Sequence, residues 1–187
     1  VVVGAPILVA LSSKFPPKNI LIVYMILFTL FNALSIVAPD YNTLLMSRFL
    51  AGLPHGAFFG VGTIVAIKLS KKGKEAQAVS SMFTGLTLAI LLLVPLLTYI
   101  GHNTSYKWAF LIVSLLGIFT ILALIKFMPK LKSLKTVTFK EEIEFFLTFK
   151  AWHIILIVAI GFGGLFAWFS YIAPLLINVS KFPPSSI

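Results

Sequence analysis

Arg48 stands inside an apolar stretch, residues 44–67, that is long enough to cross a bilayer as a helix. A charge at that depth costs about 3 kcal/mol or more, so its presence needs a reason. Two destinations are open to it. The side chain can snorkel to the outer surface, or it can face a bundle interior and pair with a carboxylate or with backbone carbonyls. No Asp or Glu lies inside an apolar stretch, and Asp40 falls just outside this one. A buried acidic partner would therefore come from sequence beyond this chain.

Beyond Arg48 come Gly52, Gly56 and Gly60, with Pro54 and His55 among them. Residues four apart share a helix face, so the glycines form a groove that a neighbouring helix can approach closely. Alone, that stripe means packing. Pro54 loosens the helix locally. His55 either hydrogen-bonds across helices as a packing residue or carries a proton near neutral pH. Other polar groups at membrane depth are Asn32, Ser35 and Thr87, with Gly85 and Pro95 nearby. They can meet a solute or another helix. The last apolar stretch is rich in rings, including Phe162, Phe166, Trp168, Phe169 and Tyr171. Rings suit an apolar cavity, and they equally suit lipid contact and interfacial anchoring.

The chain has no paired intramembrane carboxylates, no HExxH, no GxSxG and no phosphate loop. Cysteine is absent, and His55, His102 and His153 lack metal-ligand spacing. The expectation is no enzyme, no metal and no cofactor.

The elements that position these residues follow from composition. Apolar residues make up 59% of the 187, charged residues 11%, and the mean hydropathy is +1.06. A soluble domain of this size needs far more charge for its polar shell. Six apolar segments can be drawn, at residues 1–11, 19–38, 44–67, 78–101, 108–128 and 151–179. All but the first are long enough to span. The last is long enough to require tilt or a kink, which Gly161, Gly163, Gly164 and Pro174 can supply.

The net charge of +10 does not point to nucleic acid, because the lysines lie between apolar runs and not on one soluble face. Twelve basic residues fall at the first, third and fifth connections, and only Lys107 falls in the second and fourth. Positive charge stays on the cytoplasmic side. Loops 12–18, 68–77 and 129–150 are thus expected inside, and loops 39–43 and 102–107 outside. In the longest connection, Thr138 and Glu141 have capping-box spacing. Phe139, Ile143, Phe146 and Phe149 would lay a short helix on the inner membrane surface, and a solvated linker explains the same residues. The chain begins without Met inside an apolar run, and it stops in a Pro-rich loop. Both ends read as cut.

The stretch from Arg48 to Gly60, an arginine followed by glycines at steps of four, resembles the fourth-helix motif of the major facilitator superfamily. Gly4-Ala-Pro, Gly85-Leu-Thr-Leu-Ala, Lys107-Trp-Ala-Phe110 and Tyr171-Ile-Ala-Pro174 are similar to the drug/proton antiporter branch, nearest the arabinose-efflux-permease-like group. The resemblance covers nearly the whole chain and implies an all-α integral membrane bundle, from a truncated second helix to the seventh of twelve. Residues 1–129 would belong to the N-terminal half and 130–150 to the linker between halves. Residues 151–187 would hold the first helix of the second half and an outer loop.

The resemblance also implies proton-driven efflux of a small drug-like or sugar-like molecule from a cell membrane. Its partners would be the solute, protons, the bilayer and the remaining helices of the full-length chain. Arg48, and His55 with it, would belong to the proton-coupling group. The cavity would draw on Asn32, His55, Phe58, Phe59, Phe162, Phe166 and Tyr171, while Gly52, Gly56, Gly60, Gly85 and Pro95 would serve packing and gating. Two departures stand out. The family's loop motif after the second helix has an Asp, then a Gly, where this chain has Ser13 and Pro16-Pro17. The glycines that usually flank the fifth-helix proline are replaced around Pro95 by Leu93 and Leu97. A uniporter or symporter of the same fold, or a non-transporting sensor or assembly subunit, are the other readings.

Overall fold

The computed structural model describes residues 4, 7–9, 14–131, 144 and 147–181. It divides into two compact units, Val1–Val137 and Thr138–Ile187. All regular structure among the described residues is helical. In the first unit the helices are α1 (Pro17–Ile36), α2 (Tyr41–Leu69), α3 (Glu75–Leu88), α4 (Val94–Asn103) and α5 (Tyr106–Phe127), with a wider π-helical turn at Ala89–Leu93 joining α3 to α4. The second unit holds α6 (Phe149–Asn178). Among the described residues, five stretches are long and apolar enough to cross a membrane: α1, α2, Glu75–Gly101, α5 and α6. They match the five full-length segments expected from the sequence to within about three residues at each edge.

Local chemistry sets the helix ends. Pro17 opens α1 with a preset φ and no N–H to leave unpaired. Asp40 caps α2 by accepting from the Thr43 N–H at 2.7 Å, and that bond holds its carboxyl below the usual carboxylate range. Gly73, at φ 81°, makes the left-handed turn between α2 and α3. Thr148 caps α6 by accepting from the Ala151 N–H at 3.3 Å.

The π turn has a comparable cause. Pro95 has no N–H to offer the carbonyl four residues back, so the ladder just before it is displaced, and the Val94 N–H reaches the Ala89 carbonyl five residues away. Pro54, by contrast, is buried within an α2 that runs on through it.

Within the first unit α1 packs along both α2 and α5, α2 also meets α3, and α4 meets α5. The core is small. Ile20, Leu21 and Tyr24 of α1 close on Ala57, Val61 and Val65 of α2 and on Met128. Most other large apolar side chains are exposed, which fits elements whose solvent is hydrocarbon. Lys18, at the start of α1, donates to the Ile125 and Met128 carbonyls at 2.8 and 2.6 Å. It thereby caps the end of α5. This bond puts the first connection and the end of α5 at one end of the unit, as the alternation of lysines requires.

Small residues set the close approaches. A Cβ added at Gly4 would lie 2.8 Å from the Leu53 backbone, and one at Gly60 would touch Val9 at 3.8 Å. These contacts place Gly4 and Val9 against α2. Gly52 and Gly56 are half-buried on the same helix. A Cβ at Gly85 would meet nothing within 4 Å. The proposed capping box at Thr138 and Glu141, and the helix through Phe139, Ile143 and Phe146, lie outside the described residues. Phe149, expected in that linker, is the first residue of α6.

The tightest seam is between α1 and α5, where a Cβ at Gly117 would overlap the Thr29 hydroxyl and lie 3.2 Å from its Cβ. Gly117→Ala in the full-length protein is expected to cost about 1–3 kcal/mol by overpacking, with Gly85→Ala near neutral. Combining Gly117→Ala with Thr29→Ala should recover most of the loss. Thermal unfolding in detergent of the three variants reads all of these effects.

Candidate functional site

α1 presents Phe28, Asn32 and Ser35 at helical spacing toward α2, and α2 answers with Ser47, Arg48 and His55. Asn32, Ser35 and Ser47 are 2%, 0% and 3% exposed. The Arg48 guanidinium does not snorkel away from this seam. Its Nε donates to Ser35 Oγ at 3.1 Å and Nη1 to Asn32 Oδ1 at 3.1 Å. Its Nη2 donates to the Phe31 carbonyl at 3.3 Å and to Ser35 Oγ. From α5, the Phe110 ring lies 4.2 Å from the guanidinium carbon, within cation–π reach.

Four of the five guanidinium N–H groups are thus engaged, all by neutral acceptors. One Nη1 N–H remains without an acceptor among the described residues. Ser35 Oγ lies 2.7 Å from Ser47 Oγ, and Ser47 Oγ donates to the Leu44 carbonyl at 2.7 Å. When Ser35 donates to Ser47, a single chain runs from Arg48 through both hydroxyls to a backbone carbonyl. Asn32 Nδ2 is occupied as well, donating to the Phe28 carbonyl at 2.7 Å. Apart from that one Nη1 N–H, the polar groups of the cluster are tied. The positive charge itself meets no carboxylate among the described residues.

About 10 Å along α2 from Arg48, by helical rise, His55 begins a second cluster. Its ring lies 6.2 Å from Phe28 and 5.2 Å, edge to face, from Phe59. Phe59 meets Phe58 at 6.2 Å and stacks on Phe83 of α3 at 5.9 Å. Neither His55 nitrogen has a hydrogen-bond partner among the described residues. Tyr24, Met25, Phe28, Pro54, His55, Phe58 and Phe59 line an open cavity of about 160 Å³. Pro54 forms part of its wall, where the absence of an N–H leaves no backbone donor unpaired.

The other expected site residues fall elsewhere. Asn32, proposed for a solute cavity, is buried in the Arg48 cluster. Gly85 is open, and Pro95 sits at the start of α4 just after the π turn. In the second unit Phe162, Phe166 and Tyr171 are exposed on α6, and Phe162 stacks on Phe166 at 6.4 Å. Phe31 and Phe110 as ligands of Arg48, and Ser47 as the partner of Ser35 behind them, were not anticipated. Asn32 and Ser35, three apart on one helix face, were the available signal for a polar patch facing the arginine. No group of three or more metal-ligating side chains occurs among the described residues.

Among the described residues all regular structure is helical, several helices are apolar and of membrane length, and one charge is held between them, as in a multi-pass membrane protein. The sequence matches the Major Facilitator Superfamily over residues 1–187, and the chain belongs to that superfamily. It is 35% identical over 187 residues to AraJ of Escherichia coli (strain K12), covering 100% of this chain and 48% of the relative. It is 38% identical over 184 residues to the inner membrane transport protein YdhP of the same organism, covering 98% and 47%. A protein of Helicobacter acinonychis named "Probable sugar efflux transporter" is 29% identical over 181 residues, covering 97% and 46%. The chain spans about half the length of the curated relatives it matches. It is a multi-pass protein of the cell membrane.

Because Ser35 takes two guanidinium N–H groups, Ser35→Ala is expected to destabilise the full-length protein by about 1.5–3 kcal/mol. Phe110→Leu, which removes only the ring face, should cost about 0.5–2 kcal/mol. Chemical denaturation in mixed micelles gives both values and their order.

Proposed function

We propose that this chain contributes to a secondary transporter that exports a small molecule in exchange for protons. The observation that carries the reading is Arg48. It is a permanent cation at membrane depth, fixed by neutral ligands, with one N–H still open. An acidic side chain from the rest of the protein would find both a charge and a donor there. When that acid is ionised it pairs with Arg48, and when it takes up a proton the pair dissolves. Arg48 keeps its own proton in both states. The occupancy of the acid thus becomes a change in helix contacts. Membership of the superfamily, and the name of the Helicobacter relative, support export of a small solute.

Residues 1–129 act in this reading within the N-terminal half, 130–150 as the inter-half linker, and 151–187 as the start of the second half. The lysine-rich end faces the cytoplasm, in keeping with the charge alternation. Transport by conformational exchange around a midplane site needs no enzymatic group.

Full-length protein in proteoliposomes with an interior pH dye tests the proposal. Substrate-dependent proton flux is expected in the wild type, falling about tenfold or more in Arg48→Ala. Arg48→Lys should fall between the two, since an ammonium keeps the charge but loses the fork that grips Asn32 and Ser35 together. Substrate movement without proton movement would overturn the coupling.

A further inference from the structure

We propose that the cavity at the centre of the α1–α2 seam is a subsite for one aromatic ring of the transported molecule, with the His55 imidazole meeting a polar substituent on that ring. The inference rests on the transport reading above and narrows its substrate to ring-bearing molecules instead of polyols.

Position is the first support. His55 is the fifteenth of the 29 residues of α2, and Phe28 the twelfth of the 20 of α1. Both lie near the middle of membrane-length helices, at the depth where solutes bind in alternating-access carriers. Size is the second. About 160 Å³ is close to the roughly 150 Å³ of an apolar protein cavity that takes up benzene. Wall chemistry is the third. Phe28, Phe58 and Phe59 offer ring faces and edges, and Met25 adds a polarizable thioether.

Polar chemistry then selects among solutes. Two side chains of the wall carry polar groups. The Tyr24 hydroxyl donates to the Leu8 carbonyl at 2.7 Å and is committed to packing. The His55 nitrogens have no partner among the described residues, and its exposed ring is flanked by Phe28 and Phe59. A pentose or hexose brings four or five hydroxyls, most of which would lie against rings without a partner, and each such group weakens binding. An aromatic ring with one hydroxyl, amine or carbonyl leaves nothing unpaired. Arg48 is not a competing polar ligand for this subsite: its engaged N–H groups point to Phe31, Asn32 and Ser35.

The test uses purified full-length wild type in detergent, without a proton gradient, so that binding is read separately from coupling. The probe is 4-azidobenzyl alcohol, photolysed on the protein and mapped by mass spectrometry. Adducts are expected within residues 24–28 and 54–59. Benzyl alcohol should suppress them at concentrations about 2- to 10-fold lower than cyclohexylmethanol, the margin that ring–ring contact contributes. Arabinose should not suppress them. Phe59→Leu and Phe28→Leu should each weaken protection by benzyl alcohol, with retention of the monodisperse elution peak reporting that the variants are folded.

Adducts confined to other residues, equal protection by cyclohexylmethanol, or protection by arabinose would each overturn the subsite. Saturable adducts at the seam in a protein that moves solute without protons would uphold the subsite and refute only the coupling. Failure of the wild type to label at the seam would identify the cavity as space filled by side chains from the rest of the protein, and would overturn the proposal.

Discussion

Hydrocarbon offers a guanidinium nothing, and the arginine cannot give up its proton to escape the cost. Everything Arg48 needs has to come from neighbouring helices. α1 gives an amide, a hydroxyl and a carbonyl, and α5 gives the face of Phe110. Because the ligands sit on two other helices, satisfying one side chain fixes the spacing and rotation of three. Lys18 does the corresponding work at the opposite end, where it ties the start of α1 to the end of α5. Between these two polar clamps lies the small apolar core. Two charges therefore set the frame that a larger hydrophobic core would set in a soluble domain.

That frame explains the placement of the small residues. Thr29 and Gly117 let α1 and α5 approach closely enough for Phe110 to reach Arg48. Gly4 itself lies against the Leu53 backbone of α2. Where no neighbour presses, at Gly85, the glycine meets open space. The helix breaks also follow from backbone chemistry. Pro95 displaces the ladder into a π turn, whereas Pro54 is accommodated inside α2 and helps wall the aromatic cavity. Asn32 and Ser35 hold the arginine, with Ser47 behind Ser35, while His55 lines that cavity.

Much of this was legible in the residues. Apolar run lengths gave the five spans, and the spacing of lysines gave an alternation that the Lys18 cap on α5 agrees with. The superfamily was visible in Arg48 and its glycines. The partners of Arg48 were not. A single sequence shows that a charge in a span needs ligands, but which face of which helix supplies them depends on rotation and register between helices. Asn32 shows the difficulty: an amide at membrane depth reads equally as a solute ligand or a packing group, and only the position of α2 beside α1 places it on the guanidinium. The π turn was hidden for a similar reason, since a proline signals a disturbed ladder without saying whether it kinks, shifts or is absorbed.

The most direct measurement is a double-mutant cycle between Arg48 and Asn32 in the full-length protein, using Arg48→Met, Asn32→Leu and the pair, with unfolding free energy as readout. If Asn32 holds the guanidinium, Asn32→Leu leaves an N–H of a half-buried charge unpaired and is costly alone. Once Arg48 is already Met, the same change should be nearly free, giving a coupling energy of about 1.5–3 kcal/mol. Additive effects, with coupling within about 0.5 kcal/mol of zero, would mean that the guanidinium finds its ligands elsewhere, and the clamp described here would be wrong.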